Sequence, residues 1–134
     1  MNTLKGKVTE IRSSDMISLI SVNVDGDLFS SIVLEKRGDV TYKKGDLVNL
    51  VFKETEVGIA KGLSGKISLR NRFAGQIRKV EKGSVLAKIV LDYKGKTIES
   101  IISTKSAIDM ELEPNDDVEW LVKTNEVSLM SIPK

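Results

Sequence analysis

The chain repeats itself, and no other feature constrains its fold as strongly. With the sequence shifted by 69 positions, Gly6 falls on Gly75, Ile20 on Ile89, Gly26 on Gly95, Ser31-Ile32 on Ser100-Ile101 and Lys36 on Lys105. One inserted residue near Met110 makes the shift 70. Asp46 then falls on Asp116, Val48 on Val118, Lys53 on Lys123 and Glu56-Val57 on Glu126-Val127. Apolar character repeats even where identity does not: Val8 with Ile77, Ile11 with Val80, Val22 with Leu91, Val33 with Ile102, Val51 with Leu121. The chain therefore divides into a first repeat over 1–65 and a second over 66–134. A unit of about 65 residues is near the lower limit for a self-sufficient core, so fusion of two copies or further assembly would ease the burden on each.

Each repeat reads as β structure. Period-2 stretches such as Ile20-Ser21-Val22-Asn23-Val24, rich in β-branched residues, predict strands over 5–12, 16–25, 27–34, 46–53 and 56–59. The second repeat predicts them over 74–80, 84–93, 96–103, 117–123 and 126–130. Asp25-Gly26 and Lys94-Gly95 stand where tight hairpins would turn. Between the third and fourth strands of the second repeat, residues 104–110 read as a short helix with a hydroxyl N-cap. The matching break in the first repeat holds Lys36-Arg37-Gly38-Asp39, a weaker helix signal. Five strands with a helix between the third and fourth predict an all-β chain of two tandem OB-like barrels. The linker runs from about Lys61 to Arg72, rich in Gly, Ser and basic residues.

The chain has neither cysteine nor histidine. Disulfides, thiol chemistry and histidine acid-base catalysis are excluded, and a ligated zinc, copper or iron ion is disfavoured. There is no nucleophile elbow or phosphate loop, and the reading is of a non-enzyme. The net charge of +2 and the shortage of aromatic platforms argue against nucleic acid. Trp120 is expected to pack in the core or an interface rather than against a ligand. No apolar run approaches a membrane span, and Met1 leads into a polar, strand-like segment. The expected location is cytoplasmic.

Three clusters in the second repeat carry convergent hydrogen-bond donors: Ser68-Leu69-Arg70-Asn71, Ser103-Thr104-Lys105-Ser106 and Lys123-Thr124. Hydroxyls, backbone N–H groups, Arg and Lys are what a tetrahedral dianion needs. Arg70 and Lys123 would neutralise its charge, and Ser103–Ser106 would add the N–H groups of a helix start. Each cluster also has an ordinary structural reading: a cap, a solvated turn and an edge charge.

Over residues 68–130 the chain resembles the Mop (molybdate/tungstate-binding) domain family. The resemblance rests on Ser68-Leu69-Arg70-Asn71 followed by Phe73-Ala74-Gly75. It continues through Gly83-Ser84-Val85, Ile102-Ser103-Thr104-Lys105-Ser106-Ala107, Asp116-Asp117-Val118 and Val122-Lys123-Thr124-Asn125-Glu126-Val127. It implies a Mop/TOBE-like barrel and an oxyanion, molybdate or tungstate, at Ser68, Leu69, Arg70, Asn71, Ser103, Ser106, Lys123 and Thr124. It also implies sites at boundaries between domains, within a homotrimer, serving storage, buffering or homeostasis. A molybdate-sensing regulatory domain is the alternative, although no helix-turn-helix segment is visible. The first repeat departs from the pattern. Leu34 and Arg37 stand where the second repeat has Ser103 and Ser106, no Ser-Arg-Asn motif precedes it, and only Lys53 survives at the Lys123 position.

Overall fold

Alternating burial along the strands sets the architecture. In β1 (Asn2–Ser14) residues Asn2, Leu4, Gly6 and Val8 are buried while Thr3, Lys5 and Lys7 face water, the period-2 signature of a half-buried sheet. The first repeat continues with β2 (Ile17–Val24), β3 (Asp27–Leu34), β4 (Leu47–Phe52) and β5 (Gly58–Ala60). The second has β6 (Asn71–Lys82), β7 (Leu86–Tyr93), β8 (Lys96–Ser103), the helix α1 (Thr104–Asp109), β9 (Asp117–Val122) and β10 (Ser128–Ser131). The computed structural model describes residues 1–34 and 42–133. The helix considered at Lys36–Asp39 lies outside the described residues, as does Arg37.

The hairpin turns form where the sequence places them. Asp25 and Gly26 have φ of 49° and 91°, Lys94 and Gly95 of 48° and 83°, the left-handed pair that a two-residue type I′ turn requires. β1 bulges between Val8 and Glu10, and β6 between Ile77 and Lys79, at equivalent positions, so the repeat extends to the irregularities of the sheet.

One feature differs from a simple pair of barrels. The strand orders are β10-β4-β1-β2-β3 and β5-β9-β6-β7-β8. Each five-stranded OB-like sheet takes its last strand from the other half of the sequence. After β4 a single 3-10 turn (Glu54–Glu56) leaves Val57 buried and extended, with φ −95° and ψ 120°. Its carbonyl accepts a hydrogen bond from Ser100 Oγ at 2.6 Å. The mirror contact is Ser31 Oγ to the Val127 carbonyl, also 2.6 Å. These buried hydroxyls hold the two crossing segments against the opposite half, because an unpaired carbonyl there would be costly.

The halves also meet at their hairpin tips, and the charges there are inverted. Asp25 and Asp27 of the first repeat stand where the second has Lys94 and Lys96. Lys96 pairs with Asp25, Lys94 Nζ lies 3.1 Å from Asp27, and Tyr93 Oη donates to Asp27 at 2.6 Å. Burial, reinforced by that carboxylate, pushes the Tyr93 phenol well above its usual range. The Lys94→Asp/Lys96→Asp variant is expected to lose about 1 kcal/mol, since the pairs are largely exposed. Adding Asp25→Lys and Asp27→Lys should restore most of it. Thermal melts at low salt check this, and a fourfold variant no more stable than the double would refute the pairing.

Candidate functional site

The register of the second sheet brings two of the expected cations together. The β6–β9 ladder ends at the pair Asn71–Val122, so Arg70 and Lys123 are the next residues in register, just beyond its end. Arg70 and Lys123 are exposed. Neither makes an ion pair among the described residues. Most other cations of this half do: Lys61 with Asp116 at 3.0 Å, Arg72 with Glu119 at 2.6 Å, Arg78 with Asp92 at 2.6 Å and Lys88 with Glu99 at 3.1 Å. The Arg72 guanidinium, by its hydrogen bonds, holds the Glu119 carboxyl below the usual carboxylate range. Two neighbouring cations that make no ion pair favour an anion between them.

Two open hollows share Leu69 as a wall. One, of about 540 Å³, is lined by Leu69, Lys123, Ile59, Ile101 and the glutamates Glu56 and Glu126 among others. The other holds Arg70 beside Lys66 and Arg72. Lys66 was not among the residues singled out in the sequence. Its signal was position, two residues ahead of Ser68, with no motif to mark it. Ser68 is exposed on the linker. Thr124 opens the 3-10 turn Thr124–Glu126 directly after Lys123.

The serine cluster is adjacent and largely self-satisfied. Ile101 and Ile102 reach the hollow that Lys123 lines, and Ser103 follows them as the N-cap of α1. Ser103 Oγ accepts from Ser106 N–H at 3.1 Å and donates to Ser106 Oγ at 2.9 Å. The capping reading thus accounts for Ser103, while Ser106 keeps its own hydroxyl proton. Neither serine lines the two hollows.

Asn71 is placed differently from its motif neighbours. Its side chain is fully buried. Nδ2 donates to the Ser30 carbonyl at 2.8 Å, and Oδ1 accepts from Ser30 N–H at 2.7 Å. The amide expected among the ligand donors brackets the backbone of the other half through both its oxygen and its nitrogen. Asn2 does the same with Glu99, at 2.8 Å in both directions.

Trp120 packs in the core as expected and is fully buried. Among the described residues no group of His, Cys, Asp and Glu is arranged to hold a metal ion, and no helix is long and apolar enough to cross a membrane.

Residues 67–129 match the TOBE domain family. No curated protein sequence matches the chain. Among solved structures, the cytoplasmic molybdate-binding protein ModG, in a form with molybdate bound, is 24% identical, with 98% of this chain and 96% of that chain covered and a TM-score of 0.91. That likeness is one of fold. A molybdate-binding protein from Sporomusa ovata is 41% identical over 52% of this chain and all of its own, with a TM-score of 0.46. MopII from Clostridium pasteurianum is 31% identical over 49% of this chain and all of its own, with a TM-score of 0.47.

Proposed function

We propose that this chain, whose residues 67–129 match the TOBE domain family, is a tandem Mop-domain protein that binds molybdate or tungstate at Arg70 and Lys123. The observation that carries this reading is the pair of unpaired cations side by side beyond the β6–β9 ladder. The anion is held by donors and released unchanged. Arg70 and Lys123 supply charge, Ser68, Thr124 and Ser106 supply hydroxyls, and Leu69 gives a dry wall that strengthens each contact. The service is storage, buffering or homeostasis of the oxyanion in the cytoplasm.

The site is completed by assembly. A hollow of about 540 Å³ is far larger than one four-oxygen anion, and it is open to water. A second copy of the chain would close it and bring its own Ser103–Ser106 turn to the ion, in a trimer.

Calorimetric titration with molybdate and with tungstate tests the binding, with sulfate as the control. Heat at micromolar molybdate and none with sulfate is the expected result. Absence of heat with both metal oxyanions would overturn the reading.

A further inference from the structure

We infer that Asn71 is a positioning residue, not a ligand, and that the donor-poor first repeat serves as the frame on which the second repeat's site is hung. This rests on the proposed binding at Arg70 and Lys123. β3 is an edge strand of its sheet, so every second residue has an N–H and a C=O without a strand partner. Ser30 is such a residue, buried in the junction between the halves, and the Asn71 amide satisfies both of its groups. Asn71 is also the first residue of β6, directly after Arg70. The bracket therefore fixes where the backbone leaves the linker, and with it the starting point of the Arg70 side chain opposite Lys123.

The fold supplies its own control. Asn2 lies 69 positions before Asn71 and makes the same bracket with Glu99 of β8, the edge strand of the other sheet. The two asparagines are equivalent as structural pins. Only Asn71 adjoins an Arg whose place in register is opposite an unpaired Lys. At the position of Thr124 the first repeat has Glu54, a carboxylate paired with the Met1 ammonium, which offers an anion no hydroxyl.

The test compares Asn71→Ala with Asn2→Ala in the full chain. Backbone 15N relaxation without ligand comes first. Asn71→Ala is expected to lower the order of the Arg70 amide relative to wild type, and Asn2→Ala to leave it unchanged. Similar losses of thermal stability in the two variants would mark the shared structural part. Molybdate titration comes second, well below the melting transition. Asn71→Ala is expected to weaken binding roughly tenfold, in the range typical for residues that orient a ligand shell, and Asn2→Ala less than twofold. In an Arg70→Ala background, removing Asn71 should cost little further affinity, because its effect passes through Arg70. Asn71→Ser and Asn2→Ser replace the alanine pair if those variants fail to fold. An unchanged Arg70 amide, equal binding losses in both variants, or a full Asn71 effect without Arg70 would each overturn the inference. If the wild type itself gives no heat, the functional reading falls, and the relaxation comparison still decides the positioning.

Discussion

Replacing Arg70 or Lys123 with alanine is expected to weaken molybdate binding by roughly 10- to 100-fold, the loss of one charge-assisted contact worth about 1.5–3 kcal/mol. The effect is large because, among the described residues, neither cation is held in an ion pair that the anion would have to displace. An exposed Lys already held by Asp or Glu would give up that partner to bind the ion, and its removal would read as a small change. Lys53→Ala, at the equivalent position of the first repeat, is expected to change affinity less than twofold. Its neighbour is Glu54, where Lys123 has the hydroxyl of Thr124, and no Arg stands at the position equivalent to Arg70. Calorimetry on the three variants checks the ranking. A Lys53 variant as impaired as the Lys123 variant would place the ion elsewhere.

Much of the architecture was legible because both halves state it twice. Glycines paired by the repeat mark equivalent structural needs. A Cβ at Gly6 would lie 2.5 Å from Val22 Cγ1, and one at Gly75 would lie 3.2 Å from Trp120 Cδ1. The hairpin dipeptides gave the turns for the same reason. The exchange of β5 and β10 was not legible. Alternation reports which face of a strand is buried, not which neighbour it pairs with, and a three- or four-residue strand has too few side chains to choose. The buried hydroxyls that direct the crossing, Ser31 and Ser100, were visible only as a matching pair.

For the site, residue types that a dianion wants are legible in the sequence, but their commitments are not. Arg70 and Lys123 were found to be unpaired, whereas Ser103 proved to be a cap and Asn71 a bracket. The Asn2–Asn71 equivalence lay in plain view at the same shift of 69. It was hidden because Asn71 was read as the end of a ligand motif rather than as the first residue of a strand.

Trp120→Ala is expected to destabilise the chain by about 3–5 kcal/mol, typical for a fully buried large aromatic, and to do so in one transition that takes both halves. The indole belongs to neither half alone. It packs 5.7 Å from Phe52 and 5.8 Å from Phe29 in the first repeat, and 5.3 Å from Phe73 and 5.2 Å from Tyr93 in the second, while Phe29 and Phe73 stack at 4.0 Å. The repeat gives each of these rings an aliphatic counterpart: Leu50 for Trp120, Leu4 for Phe73, Val24 for Tyr93, Ile98 for Phe29 and Val122 for Phe52. Large side chains thus stand in one half where smaller ones stand at the equivalent positions of the other, as Asp25 and Asp27 stand where the second repeat has Lys94 and Lys96. Two identical halves would crowd some of these positions and leave voids at others, each costly in a core packed to crystal density. The halves have diverged into unlike partners, so damage at Trp120 is transmitted to both. Far-UV circular dichroism with calorimetry decides the matter. Two resolved transitions, with half the strand signal surviving the first, would show that the repeats stand independently.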